Sequence, residues 1–420
     1  MAFAVVASLV LAGCTADPDV PDSTTTFQEV KKLFASDVQD EDEFGGRVAI
    51  YGDAVAVGAS GEDGAGTARG AVYLFSRNQG GTDAWGEVKK ITASDAQDLD
   101  RFGYSVDLSG DILAVGTVSG AVYVFYRNQG GADNWGEVAR IAGSAAQAGF
   151  GLALALTGDS LVVGAQDEGG GGNARGAAYV FYRDQGGADA WGQVARLTAA
   201  DAHDYDGFGA AVAVSNEYAV VGAIGFDPDD TGAAYVFSRN LGGTDAWGQV
   251  AKITASDAQP QDQFGWPVVI LGDTIVCGAA CEDGQAGIGD NPGAAYVYSR
   301  NLGGSDAWGE VRKLTNSAGV GAFFGVSADL SGDFLVIGAL YNGGNGTNRD
   351  FGAVYFFSRN EGGVNRWGLL NSTTARDGED FDFLGMSASF SGNYAVVGAP
   401  GKDGGGPDRG AAYVFKKAVQ

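Results

Sequence analysis

Apolar and polar positions alternate with period two over short stretches of this chain, and the stretches come in sets. Between Phe102 and Ile141, three runs (FGYSVDLS, ILAVGT and AVYVFY) carry β-branched and aromatic residues at strand spacing, and a fourth opens on Trp135. Gly110-Asp111 is a two-residue turn signal between the first and second runs. Asn128-Gln129-Gly130-Gly131 turns the chain between the third and fourth. The pattern predicts a four-stranded antiparallel meander.

The set recurs. A Phe-Gly opening stands at Phe44, Phe102, Phe150, Phe208, Phe264 and Phe324, and in altered form at Phe383-Leu384-Gly385. The third run begins at Gly70, Gly120, Gly176, Gly232, Gly293, Gly352 and Gly410. Both markers count seven, at a period of roughly 48 to 60 residues, which is a repeat array. Four strands per repeat, stacked radially, make a β-propeller, so the expected fold is all-β with seven four-stranded antiparallel blades. The last copy ends after Gly410–Phe415 without its Trp run. Its counterpart sits at the other end, where Phe27–Leu33 matches Trp85–Ile91 position for position with Phe27 replacing Trp. The N-terminal strand is expected to complete the last blade and close the ring.

The ordered recurrence of Phe-Gly, then Val-Gly-Ala or Val-Gly-Thr, then Gly-Ala-x-Tyr resembles the FG-GAP repeats of integrin α-chain heads and bacterial surface proteins. The resemblance covers Phe27 to Phe415, although only Val397-Gly398-Ala399-Pro400 spells the full Gly-Ala-Pro. It implies a binding or adhesion module. In the integrin-type blade, calcium sits in an Asp-rich loop between runs one and two. Here that connection is only Gly52-Asp53, Gly110-Asp111 or Asn216-Glu217, too short to wrap a cation, so the family's metal site does not carry over.

Composition narrows the function. A chain of 420 residues that is 45% hydrophobic can bury ample core, and 71 glycines suit a turn-dense β fold. A formal charge of −26 argues against nucleic acid and against electrostatic docking on anionic lipid. Ala2–Ala12 is an apolar run too short to span a bilayer. Leu11-Ala12-Gly13-Cys14 after it resembles a bacterial lipobox, with Cys14 as the lipid attachment site, although the basic leader segment is missing. The reading divides the chain into a leader and short tether (1–26) and the propeller (27–420). It places a monomer in the bacterial envelope, membrane-bound only through its anchor; an ordinary cleaved leader and secretion is the alternative. Cys277 fills a slot held elsewhere by valine, and it can reach Cys281 only if the chain turns after Gly278-Ala279.

Strand direction sorts the loops into two rims. The connections from run four to run one and from run two to run three share one rim. On it lie the triplets Asp37/Asp40/Asp42, Asp95/Asp98/Asp100, Asp201/Asp204/Asp206 and Asp377/Asp380/Asp382, the partial Asp257/Asp262, and Glu62-Asp63, Asp167-Glu168, Asp227/Asp229/Asp230, Glu282-Asp283 and Asp403. Clustered carboxylates are hard ligands suited to Ca²⁺, which makes the triplets candidate metal sites. Equally, Asp caps turns and keeps loop edges solvated. The opposite rim repeats an Arg six residues ahead of an Asp or Asn, as in Arg77/Asp83, which reads as a cross-strand pair.

Six tryptophans (Trp85, Trp135, Trp191, Trp247, Trp308, Trp367) open run four in equal register, predicting packing between blades. Trp266 breaks the pattern at the head of an inner strand. Its equivalents differ in every blade (Gly46, Tyr104, Leu152, Ala210, Val326, Met386), as a recognition surface requires, and as unconstrained positions also look. Tyr104 and Trp266 are the candidate partner face. With His203 as the only histidine, the sequence argues against Ser-His-Asp and His-metal chemistry. The expectation is a non-enzymatic module recognising a protein or glycan through the acidic rim. A carbohydrate-active enzyme using carboxylates, or a structural envelope component, are the alternatives.

Overall fold

The computed structural model of the chain describes residues 25–144, 148–169, 173–225, 231–282, 291–316, 322–341, 351–403 and 407–419. The 1–26 leader and tether apart from its last two residues, Cys14 within it, and rim residues Asp227, Asp229, Asp230 and Asp283 lie outside these. The strands form seven separate four-stranded antiparallel sheets, each following chain order except the last. That sheet runs from Ala388–Ser391 through Tyr394–Ala399 and Ala411–Val419 to the N-terminal Thr25–Leu33. Thr25 pairs with Val419 and Leu33 with Ala412, so the expected closure is present.

The sequence pattern explains the layering. The second and third strands of a blade, such as Ala54–Ala59 and Ala71–Ser76, are buried along nearly their whole length, which is why they read as continuous apolar runs. The outer strand Gly86–Ile91 is half-buried and carries the charges. At the inner hairpin, Gly110 holds φ +61°, the left-handed conformation that a two-residue turn demands.

The two glycine markers meet at the blade interfaces. A Cβ on Gly58 would stand 2.3 Å from the carbonyl oxygen of Gly103 in the next blade, and one on Gly398 only 1.9 Å from that of Gly45 across the seam. Neighbouring blades therefore touch backbone to backbone, and the Val-Gly-Ala and Phe-Gly motifs are the two sides of that contact. The tryptophans pack across the same interfaces. Trp191 donates from Nε1 to the Tyr126 hydroxyl of the preceding blade at 3.2 Å, and Trp247 to Tyr182 at 3.0 Å. Trp85 meets Tyr394 edge-on across the seam.

Inner strands leave one edge unpaired facing the channel, and side chains of the neighbouring blade cover it. Ser387, Ser389 and Ser391 accept from the amides of Val48, Ile50 and Gly52. Asp107 accepts from Leu156 N and Asp329 from Phe390 N, both at 2.7 Å. Cys277 lies in the core with a free thiol, and Cys281 Sγ donates to Gln263 Oε1 at 3.3 Å, so the two cysteines do not pair.

Candidate functional site: loop rim and channel mouth

The four-to-one and two-to-three loops do gather on one rim, and the structure gives most acids of a triplet a separate protein partner. The first Asp binds its own blade: Asp37 accepts from the Tyr73 hydroxyl (2.7 Å) and Lys90 Nζ (2.8 Å), and Asp377 from Tyr413 (2.8 Å) and Lys32 (2.7 Å). Asp95 does so with Tyr123 and Arg140, and Asp201 with Lys252. The second reaches back to the preceding blade. Asp40 pairs with Arg409, Asp98 with Arg69 and Asp204 with Arg175, all at 2.8 Å. The third caps its own loop: Asp42, Asp100, Asp206 and Asp382 accept the amides of Gln39, Gln97, His203 and Glu379 at 2.6–2.7 Å. Asp380 is exposed.

Charge states follow these partners. The Arg69 hydrogen bond holds the Asp98 carboxyl below the usual range, and Lys252 does the same for Asp201. Burial pushes Asp37 up, but its bonds to Lys90 and Tyr73 outweigh it and leave it lowered. Burial raises Asp42 and Asp382. Blade 7 carries Lys402 where blade 1 has Glu62, and this buried lysine bonds Glu379 at 2.7 Å and approaches Asp382 at 3.3 Å.

Calcium takes six to eight converging oxygens. In the triplets at Asp37, Asp95 and Asp201 the three carboxylates diverge to separate partners, and among the described residues no group of three or more acidic, His or Cys side chains is placed to hold a metal ion. This donor set does not fit calcium as it stands. On the opposite rim the Arg–Asp spacing forms ion pairs at 2.5–2.6 Å (Arg127–Asp133, Arg183–Asp189, Arg239–Asp245, Arg300–Asp306) and a looser one, Arg77–Asp83, at 3.7 Å. Arg359, opposite Asn365, turns instead to Asp333 at 2.7 Å.

Two features of this face escape a reading of the sequence. The fifth position of each acidic loop (Glu41, Leu99, Tyr205, Gln261, Phe381) holds φ between +67° and +71°, a conformation that suits Asn or Gly far better than Leu, Tyr or Phe. Leu99, Tyr205 and Phe381 are nonetheless 61%, 45% and 55% exposed. The second feature is Arg47. Tyr104 and Trp266 line one cavity of about 360 Å³ at the channel mouth, and Arg47 and Gln166 line it with them. The Arg47 guanidinium lies 5.6 Å from the Tyr104 ring centroid and donates to Gly46 O at 2.8 Å. Desolvation lowers its pKa, with Tyr104 opposing. The available signal was position: the equivalents of Arg47 are Ser105, Ala153, Ala211, Pro267, Ser327 and Ser387, none of them charged.

The FG-GAP repeat signature matches seven segments, 27–75, 85–125, 135–181, 191–237, 247–298, 308–357 and 367–415. The chain belongs to the FG-GAP repeat family. Each matched segment of this FG-GAP protein starts on the outer strand of one blade and ends on the third strand of the next, so the family repeat is offset from the blade by one strand. Among solved structures, the crystal structure of a computationally designed protein is similar over 92% of this chain and 100% of its own, at 14% identity and a TM-score of 0.50, a likeness of fold alone. No curated protein matches the chain.

Proposed function

We propose that this FG-GAP propeller is a non-catalytic binding module that meets a protein or glycan partner on the acidic loop rim. The observation that carries the reading is the ring of loop tips. Leu99, Tyr205 and Phe381 combine apolar exposure with a left-handed backbone, and the same position in other blades tolerates Glu41 and Gln261. The fold does not require those apolar side chains, and a partner docked on the rim would bury them. The left-handed backbone itself serves the fold, since the amides of Glu41, Leu99 and Tyr205 donate to the carbonyls of Pro407, Thr67 and Asn173 in the preceding blade, which leaves the side chain at this position free for recognition. A lipid anchor at Cys14 and a place on the bacterial envelope belong to the same proposal.

The test is a triple variant, Leu99→Asn, Tyr205→Asn, Phe381→Asn, compared with wild type on an array of uncharged glycans and purified surface proteins. Asn tolerates positive φ, so the variant should fold at least as well as wild type. Ligands held by wild type should be lost from it. Hits unchanged by the substitutions would sink the reading, and release of a shortened glycan would move the protein to the carbohydrate-active class.

A further inference from the structure

Arg47 is a half-buried cation in a protein with 52 acidic residues, yet it forms no ion pair among the described residues. Its guanidinium lies over the Tyr104 ring, and among the described residues its one side-chain hydrogen bond goes to the carbonyl of Gly46. Glu43 lines an adjoining pocket with it, but that carboxylate is taken by Ser60 at 2.8 Å and Arg101 at 3.4 Å. An arginine carries five N–H donors in a fixed fork. None of the Arg47 nitrogens is both buried and unsatisfied, so the remaining donors face open space. Arg47 lines the channel-mouth cavity, of about 360 Å³ and within the size range of small-molecule sites, as well as the adjoining pocket. A partly desolvated cation without a counter-ion is costly to hold in a fold, and an incoming anion recovers the cost.

We infer that the channel mouth binds a sugar carrying a single carboxylate, with the carboxylate on the Arg47 fork and the pyranose face against Tyr104 and Trp266. The geometry of guanidinium and carboxylate is bidentate and directional. Aromatic rings beside it suit the flat C–H face of a hexuronate better than an extended peptide end. Gln166, in the same cavity, supplies amide donors and an acceptor for ring hydroxyls. The surrounding acidic rim sets the charge limit. Long-range repulsion from a protein of net charge −26 grows with each charge on the ligand, whereas the direct contact with Arg47 lies well inside the Debye length of about 8 Å. A mono-uronate is accommodated and a polyanion is rejected. The inference rests on the reading of this face as a binding surface, but it concerns the cavity rather than the loop tips.

The experiment is calorimetric titration of the full chain with four probes: a tetrasaccharide ending in a uronate, its neutral counterpart, a polysulfated tetrasaccharide, and a short peptide with a free C-terminal carboxylate. The expected order places the uronate first by at least tenfold. Arg47→Met should lose that margin and Arg47→Lys should keep part of it, while the triple loop-tip variant binds the uronate as wild type does. Fluorescence gives a second readout. The six tryptophans of the blade interfaces are at most 3% exposed, so quenching by the uronate reports Trp266 and should vanish in Trp266→Phe. Equal affinity for uronate and neutral sugar, preference for the polysulfated sugar or the peptide, or an unaltered Arg47→Met each overturns the inference. If array ligands persist on the loop tips while the uronate fails, the cavity assignment falls and the binding-module reading stands.

Discussion

The slot of Phe27 offers a quantitative test of how the ring closes. Other blades place Trp there, against a small aliphatic residue on the third strand of the preceding blade; Trp85, for example, shares a cluster with Val414. Phe27 instead stacks on Phe356 at 4.3 Å and meets Phe390 edge-on at 5.3 Å. Phe356 occupies the position held by Leu74, Val124, Val180, Val236, Val297 and Val414 elsewhere. One side of the seam lost volume and the other gained it. Phe27→Trp alone should overpack the slot, costing about 2 kcal/mol within the usual range of roughly 1–3 for inserted volume. Phe356→Val alone should leave a void costing about 2 kcal/mol, less than a full Phe→Ala truncation. The double variant restores the Trp–Val pairing of the other blades and should lie within about 1 kcal/mol of wild type, a coupling of about 3 kcal/mol. At about 2.1 cal/mol/K of unfolding entropy per residue, a chain of 420 residues loses about 1 °C in Tm per roughly 0.9 kcal/mol. Each single variant should therefore melt about 2–3 °C below wild type in calorimetry, and the double about 1 °C below. A double variant melting about 5 °C low, the sum of the two singles, would refute volume compensation.

Two further outcomes follow from the charges. Millimolar CaCl₂ should raise the melting temperature no more than NaCl of matched ionic strength, because the triplet carboxylates are engaged with lysine, arginine and backbone amides; a calcium-specific rise abolished by Asp98→Asn with Asp100→Asn would reverse that conclusion. In the channel, burial pushes Asp107 up to about 7 and Asp329 up to about 6. Both lie above the ordinary carboxylate value of 3.8, so between about pH 4 and pH 7 the folded state holds more protons than the unfolded state and stability falls as pH rises. Melting curves across that window should decline more steeply for wild type than for Asp107→Asn with Asp329→Asn, and parallel profiles would show that the two acids titrate normally.

The sevenfold repeat, the split last blade and the sorting of loops onto two rims were legible because each is written in local sterics. A glycine that faces another backbone cannot become anything else, so Gly58 and Gly103 mark the interface in the sequence itself. The inter-blade register of the tryptophans was legible for the same reason. The partners of the acids were not. Asp98 finds Arg69 29 residues away, and Asp40 finds Arg409 369 residues away across the seam, pairings that no spacing rule encodes. Regular spacing of Asp looked like a ligand set because the triplet repeats with the loop, and the loop repeats with the blade. Arg47 was missed because a single arginine in a strand has the look of an ordinary solvated residue. Only the inner-strand geometry shows that it is half-buried and stands without an ion-pair partner among the described residues.

The seam also fixes how the ring can be held. Thr25 lies opposite Val419, and the amide of Lys417 donates to the Asn393 carbonyl in the short inner turn, so both ends of the closing strand pair leave the propeller together on the face of the short turns. A pull exerted across the two ends would part the Thr25–Leu33 strand from Ala411–Val419 pair by pair, like a zipper. A pull from one end against a ligand on the far rim would instead run along the strands of the last blade and load their hydrogen bonds together. The same closure is therefore weak in one direction of force and strong in the other, and a propeller held by its ends turns its loops away from whatever holds it.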